Sequence, residues 1–220
     1  MGHDFQRART DAQREERRAS ILAAARALLA SHRSKDISLS MIAAETGLAK
    51  SALLRYYGSR EAILLAILLD DFSDWNRDAA RALEDLPAKD PEALDRAARA
   101  LATSALSRPV MSELLADVAS VLEHNVPVED VLAFKLAIED ASADLRAALA
   151  RLLGDPSAEE LGAAIIGIHS ILIHIHVMAH PAPALAEARR LDPRVPRLPA
   201  PPVDTCAMLL SALLRGFAHM

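Results

Sequence analysis

The chain has 220 residues, of which 52% are hydrophobic and 3% aromatic, which suits one large or two small domains with an ample core. Its net charge is -5 at pH 7, yet residues 1–60 hold 11 Lys and Arg against 6 Asp and Glu. A basic segment on an otherwise acidic chain indicates a polyanionic partner for that segment alone. The single cysteine, Cys206, excludes an internal disulfide framework and fits a reducing cytoplasm.

The chain is rich in Ala and Leu, contains only 7 Gly, and shows no sustained alternation of apolar and polar residues. This mixture predicts an all-α fold without strands. Ser38 and Ser59 are predicted N-caps, and Gly47, Pro87 and Pro181 mark predicted helix ends. The predicted helices span residues 11–31, 39–46, 49–57, 59–86, 91–107, 109–124, 127–153, 157–180, 184–190 and 203–217.

The strongest local pattern is SLSMIAAETGLAKSALLRYYGSRE, residues 38–61, in which two short helices are joined by a tight turn. Ala43 is small enough for the helices to cross closely, and Gly47 adopts a turn conformation that most residues resist. Ile42 and Leu53 are spaced to fill the interface between the helices. This layout predicts a helix-turn-helix whose second helix enters the major groove of DNA.

Polar and basic side chains cluster where such a helix contacts DNA. Lysine, arginine and hydroxyl groups can reach phosphates, and the outward side of the second helix faces base edges, where Leu54 can touch a thymine methyl. The predicted DNA-binding residues are Ser38, Ser40, Lys50, Ser51, Leu54, Arg55, Tyr56 and Arg60.

The segment from about Ile21 to Leu69 resembles the TetR family of bacterial transcriptional regulators. The resemblance is carried by ILAAARALLA and by the matching positions Lys50, Leu53, Tyr56, Tyr57, Ser59, Arg60 and Glu61. It implies a three-helix DNA-binding head, residues 1–60, joined to a helical effector-binding and dimerisation body, residues 61–220. It also implies that Tyr57 packs inside the head and that the protein is a cytoplasmic bacterial regulator, associated with the nucleoid when bound to DNA.

The same resemblance implies that the helices near 157–180 and 203–217 pair across a two-fold axis in a homodimer. The 157–180 helix is apolar nearly all round, so it must be covered on every side. A symmetric dimer would present two heads to a palindromic operator whose half-sites lie about one helical turn apart.

Large apolar residues of the middle helices are candidates for an effector pocket, with two histidines as polar groups. Because aromatic residues are few, such a pocket favours a small, mainly apolar effector. The alternative, which is the more common outcome for any one such residue, is that these side chains are ordinary core. The predicted pocket residues are Trp75, Met111, Leu114, Leu115, Val118, Leu122, His124, Phe134, Ile138 and His169.

Four histidines fall in GIHSILIHIHVMAH, residues 167–180. Helical spacing places His169, His176 and His180 on one face and His174 nearly opposite. Only His176 and His180, four residues apart, are spaced to chelate one ion, and a third ligand is missing. The histidine stripe therefore predicts either polar groups whose hydrogen bonds are satisfied within a buried dimer helix, or hydrogen-bonding groups at a pocket wall. Metal sensing by these histidines is an alternative. Redox sensing through Cys206 is a further alternative.

Other function classes find little support in the sequence. No Glu is followed three residues later by His, as a di-iron bundle requires, and no phosphate loop or Cys–His constellation is present. We therefore expect no enzyme, metal or cofactor. No apolar run of roughly 18 residues lacks Gly, Ser or His interruptions, so no membrane partner is expected. A helical protein-interaction module without DNA binding remains the rival from another class.

Overall fold

A computed structural model of the protein describes the backbone of residues 2–219 and the side chains of residues 12–118 and 120–219. All regular structure in this part of the chain is helical, so the predicted all-α fold is confirmed. Short 3-10 turns at Ser34–Asp36 and Glu123–Asn125 and a π-helical turn at Val118–Leu122 complete it. The helices are α1 (Gly2–Leu29), α2 (Leu39–Thr46), α3 (Lys50–Tyr56), α4 (Arg60–Leu83), α5 (Pro91–Leu106), α6 (Pro109–Asp117), α7 (Val128–Ala141), α8 (Ala143–Leu153), α9 (Ala158–Ala179), α10 (Pro183–Leu191) and α11 (Pro202–Ala218).

The predicted helix starts follow from side-chain caps. The Ser38 hydroxyl accepts a hydrogen bond from the Met41 amide at 3.3 Å, and the Ser59 hydroxyl accepts one from the Ala62 amide at 3.0 Å. At the start of α9, Ser157 and Glu160 form a reciprocal capping box. Each cap satisfies amides that have no partner within the helix, which fixes where the helix begins.

Two predicted helix limits are wrong. Helix α1 begins at Gly2 rather than near residue 11, because the polar residues before residue 11 include no helix breaker. Helix α4 ends at Leu83 rather than Leu86, where the Arg151 guanidinium donates to the carbonyls of Leu83 and Leu86. Such bonds satisfy carbonyls that a continuing helix would otherwise use.

The predicted helices 109–124 and 127–153 are each interrupted. The first changes to π-helical geometry at Val118, and the second is divided at Ser142 into α7 and α8. The Ser142 hydroxyl donates to the Ile138 carbonyl at 2.7 Å, four residues earlier. Serine bonds of this kind bend helices, and the hydrophobic period of the sequence does not reveal them.

The chain divides into two compact units. The first unit comprises Met1–Leu69 together with Asp117–Phe134. Its core contains Ile21 and Ala25 of α1, which are fully buried, and side chains of α2, α3 and α4. The Ser34 hydroxyl donates a hydrogen bond to the Asp117 carboxylate, so the two sequence segments of this unit are joined by a polar contact as well as by packing.

The second unit comprises Asp70–Ala116 together with Lys135–Met220. In it α11 packs against α5 and α9. A side chain on Gly167 would lie only 3.0 Å from the Leu213 methyl groups, so α9 and α11 approach closely at that point. The Arg215 guanidinium pairs with the Asp95 carboxylate at 2.6 Å, and this hydrogen-bonded partner holds the pKa of Asp95 below its usual value.

Helix α9 is long and apolar enough to cross a membrane by length and composition, with 33% of its most apolar window buried. The sequence predicts no membrane span here, because Gly, Ser and His residues interrupt the apolar run. A core helix of a globular protein passes the same test, and α9 packs against α5, α8 and α11 in the second unit. We therefore interpret α9 as a core helix with one uncovered face.

Candidate functional site

Helices α2 and α3 form the predicted helix-turn-helix. Gly47 ends α2 with a φ of 66°, in the left-handed region that favours glycine, and the next amide, Leu48, donates to the Ala43 carbonyl at 3.1 Å. Ile42 and Leu53 are fully buried between the helices. The turn and the apolar interface together fix the angle at which α3 leaves α2.

The outward side of α3 presents the predicted DNA-binding residues to solvent. Lys50, Ser51 and Arg55 are exposed, and Leu54 is 45% exposed although it is a large apolar side chain. Ser38 and Ser40 are also exposed at the start of α2. The Ser38 oxygen accepts the Met41 amide, which leaves its hydroxyl hydrogen available to a phosphate.

Tyr56 and Tyr57 fasten α3 to α1. Tyr57 is buried, as the resemblance implied, and the Arg18 guanidinium lies 4.2 Å from the centre of its ring. Arg18 also donates to the Tyr56 carbonyl at 2.7 Å. Sequence reasoning did not single out Arg18, because its partners lie 38 and 39 residues away and no local pattern pairs them. Tyr56 itself is half-buried.

Arg60, another predicted phosphate contact, is largely enclosed. Its side chain is only 19% exposed, donates to the Ile37 carbonyl at 2.9 Å and pairs with Glu61 at 2.8 Å. These bonds hold the segment that leads into α2. Its contact with DNA stays a prediction, since reaching a phosphate requires these bonds to be shared or exchanged.

A groove of about 770 Å³ lies between α1 and α3 in the first unit. Arg14 and Arg17 of α1 and Arg55 and Tyr56 of α3 line it, with Glu16 as the acidic member. The cationic surface therefore continues from α3 onto α1, which the sequence-based list of contacts did not include.

The predicted effector residues fall into both units. Trp75, Met111, Leu114, Leu115, Ile138 and His169 belong to the second unit, and Val118, Leu122, His124 and Phe134 to the first. Most of them are buried, whereas His124 is exposed. Trp75 and His169 line a common cavity, which also includes Asn76, Ser142 and Arg146. The other members of the list stay predictions.

The histidines of α9 have different surroundings. His169 lies beside Phe72 and Trp75, with ring centres 5.6 and 6.2 Å apart, and burial followed by the charge of Arg146 lowers its pKa to about 4. It is therefore neutral at pH 7. His176 is buried and its ring centre is 4.4 Å from that of His180, while His174 is exposed.

Metal and redox chemistry were the alternatives for these residues. In the described part of the chain, no three His, Cys, Asp or Glu side chains are grouped so that they could hold a metal ion. Cys206 is fully buried, and burial raises the pKa of its thiol to about 11. A thiol kept protonated in this way is a poor nucleophile.

Two family models match the sequence. Residues 21–67 match "Bacterial regulatory proteins, tetR family", and residues 69–219, more than half of the chain, match "Tetracyclin repressor-like, C-terminal domain". The chain belongs to the TetR family of transcriptional regulators. No curated protein matches it.

Solved structures of TetR-family proteins share this fold. The AlkX repressor of Dietzia sp. strain DQ12-45-1b, implicated in biodegradation of n-alkanes, is 18% identical, with 92% of this chain and 96% of that chain covered and a TM-score of 0.53. PfmR of Thermus thermophilus is 24% identical, with coverages of 89% and 97% and a TM-score of 0.53. A putative regulator from Shewanella sp. PV-4 is 14% identical, with coverages of 89% and 97% and a TM-score of 0.55. At these identities the likeness shows the fold of this TetR-family chain.

Proposed function

We propose that this TetR-family protein is a ligand-responsive repressor that binds palindromic operator DNA as a homodimer and is released by a small, mainly apolar effector. The observation that carries the DNA-binding role is the outward face of α3. Lys50, Ser51 and Arg55 are exposed there, on a helix whose angle is fixed by Gly47 and by buried Leu53. Phosphates position such a helix, and the side chains that it inserts into the groove read the bases.

An uncovered apolar face supports the homodimer. On α9, Ile166 is 69% and Val177 is 51% exposed, on a line with Ala163, Ser170 and His174; on α11, Met208 is 57% exposed. Both helices belong to the second unit and pack on each other. A single chain therefore leaves apolar surface that a second copy can cover by the same face, as two-fold symmetry requires.

Helix α4 is the proposed transmission element. It is continuous from Arg60 to Leu83 and contributes residues to both units. An effector that binds one arrangement of the second unit more tightly would shift the population towards it, and α4 would carry the change to the helix-turn-helix. The shift cannot exceed the difference in effector affinity between the two arrangements.

The alternatives are less well supported. Redox sensing needs an accessible thiolate, and Cys206 is buried with a raised pKa. Metal sensing needs a third ligand beside His176 and His180, and the described residues supply none within one group. A protein-interaction module that does not bind DNA would not explain why the exposed face of α3 is cationic.

The test is selection of binding sites from random duplex DNA by the purified chain at about 0.15 M salt. We expect enrichment of a palindrome with half-sites about one helical turn apart, followed by mobility shift of one dimer per site. Binding of all duplexes with equal affinity, or enrichment of sites without two-fold symmetry, would contradict the proposal. The cytoplasmic location proposed for the protein follows from the same role.

A further inference from the structure

A narrow cavity lies in the second unit between three helices. Trp75 and Asn76 of α4, Arg146 of α8 and His169 of α9 contribute to its wall, with Ser142 at the junction of α7 and α8. The space open to the centre of a water molecule is about 10 Å³, enough for roughly one water. All of its lining residues belong to the second unit, so the cavity is formed within one compact body.

The wall of the cavity is apolar apart from a few groups. Leu145, Leu149, Ile165 and Ile168 supply aliphatic surface, and Trp75 adds an aromatic face whose indole N–H is already bonded to Ser104 at 3.1 Å. The Ser142 hydroxyl already donates to the Ile138 carbonyl of α7. A ligand here would therefore bury a mainly hydrocarbon body.

Arg146 differs from the rest of this wall. Its outer nitrogen Nη2 pairs with the Glu139 carboxylate at 2.9 Å, and its side chain is 34% exposed on that side. Its Nε atom is buried and has no hydrogen-bond partner among the described residues. A buried donor without an acceptor is costly, and the cost is larger on a charged group. The guanidinium of this cavity-lining residue thus has one nitrogen paired with a carboxylate and one buried nitrogen without an acceptor.

The charge around the cavity favours an anion. Within the described part of the chain, no acidic residue lines it. The neighbouring imidazole, His169, is neutral at pH 7, because burial and then the charge of Arg146 lower its pKa. An oxygen that arrives with a negative charge would therefore find no carboxylate in the wall itself and could accept from Nε, while the Glu139 carboxylate outside the wall keeps Nη2.

We propose that this cavity is the effector site and that its ligand is an apolar carboxylic acid, bound as the carboxylate to Arg146 with its hydrocarbon part against Trp75 and the α9 isoleucines. The ligand class rests on the proposed function only in that the ligand is called an effector. Since the closed cavity holds about one water, the hydrocarbon part must separate α8 from α4 and α9, which supplies the difference between ligand-free and ligand-bound arrangements.

Trp75 is the only tryptophan of the chain and lies in the cavity wall, so its fluorescence reports binding directly. We would titrate the full chain at pH 7 with octanoate, octan-1-ol and octylamine, which share one chain length and differ in head group. We expect octanoate to change the emission with a Kd at least about 10-fold lower than that of octanol, and octylamine to bind more weakly than both. Equal affinity for octanoate and octanol, or no emission change with octanoate up to millimolar concentration, would overturn the proposal.

Variants locate the carboxylate. Arg146→Gln should raise the octanoate Kd by about 10- to 100-fold and leave octanol binding unchanged, while Arg146→Lys should retain part of the preference. Arg99→Gln, which removes an exposed guanidinium that pairs with Asp204 elsewhere in the same unit, is the matched control and should bind octanoate as the parent does. An unchanged octanoate Kd in Arg146→Gln would assign the carboxylate to another group. If Arg146→Gln does not fold by circular dichroism, the head-group series on the parent chain still decides the question.

The two proposals fail separately in this design. Octanoate binding that depends on Arg146, combined with no selective DNA binding, would keep the ligand class and reject the regulator. Selective DNA binding without any octanoate response would do the reverse. If both hold, adding octanoate to the protein–operator complex should release DNA from the parent and not from Arg146→Gln.

Discussion

The outward face of α3 and the cavity beside α8 both depend on arginine, but they place it in opposite surroundings. Arg55, like Lys50, is exposed on α3, whereas Nε of Arg146 is buried without an acceptor among the residues that the structure describes. An exposed cation attracts a polyanion over a distance and is screened by salt. A cation with one buried, unpaired donor discriminates among small ligands, because only a ligand that brings an acceptor to that donor offsets its desolvation. The two surfaces are thus suited to different partners by solvation rather than by residue type.

The largest effect on operator affinity should come from disrupting the apolar face of α9 and α11, through which we propose that two chains dimerise. The double substitution Ile166→Glu and Met208→Glu places charge on both exposed helices and should yield monomers in sedimentation equilibrium. Losing the second half-site should weaken operator binding about 10³-fold, since two linked contacts act as one. Leu191→Glu changes an equally exposed residue of α10 and should leave both properties unchanged. If the double variant still forms a tight dimer, the dimer interface lies on another surface of the chain.

The burial of His169 in the cavity wall can be tested through the pH dependence of stability. His169 has a folded pKa of about 4 against an ordinary value of 6.5, so the unfolded chain binds more protons between these limits. Its contribution to stability is complete above pH 6.5 and is lost as pH falls towards 4, by about 3 kcal/mol. Urea unfolding at pH 7 and pH 4 measures the free energy of unfolding that is lost between these pH values. This loss should be about 3 kcal/mol smaller in His169→Gln than in the parent. Identical losses in the two proteins would mean that the imidazole is solvated.

DNA binding by the exposed face of α3 should depend on salt concentration. Lys50→Ala with Arg55→Ala should weaken binding of every duplex about 100-fold and reduce the slope of log K against log salt by about 2. Thermal stability should change little, because both side chains are exposed. Arg190→Ala on α10 is the control and should retain the parent slope. A loss confined to one base sequence would instead identify these side chains as base-reading.

The smallest expected effect concerns two serine N-caps, one in each unit. Ser38→Ala and Ser157→Ala each remove a hydroxyl that accepts a helix amide, at 3.3 Å in both cases, and each should cost about 1 kcal/mol of stability by urea unfolding. Only Ser38→Ala should also weaken operator binding, because its hydroxyl lies at the start of the helix-turn-helix. Equal DNA affinity of the two variants would confine Ser38 to capping.

The helix-turn-helix was predictable because its determinants are local. Ser38, Gly47 and the apolar spacing of Ile42 and Leu53 act within about one turn of helix or across one tight turn, so the sequence carries them in order. The family resemblance added Tyr57, which is buried as expected. The clamp formed by Arg18 was missed because it depends on how α1 is rotated against α3, which periodicity alone does not specify.

The cavity was predictable only in part for the same reason. Trp75 and His169 were on the predicted list, but Arg146 was absent, since a charged residue on a helix is ordinarily solvated and only its Nε end is buried. The α9 helix was expected to be covered all round within a dimer; the single chain leaves Ile166, His174 and Val177 uncovered, and α9 approaches α11 closely at Gly167. Helical spacing indicated the faces, whereas the packing partners decided what each face does.

The contact between Gly167 and Leu213 constrains how relatives of this chain can diverge. A methyl group at residue 167 would press on both Leu213 methyl groups at 3.0 Å, so the two positions share a fixed volume. A relative with alanine at the first position should carry a smaller residue at the second, or a wider spacing of α9 and α11 that alters the uncovered face beside it. Substitutions at these two sites are therefore expected to covary, and a break in that covariation would mark chains that assemble through a different surface.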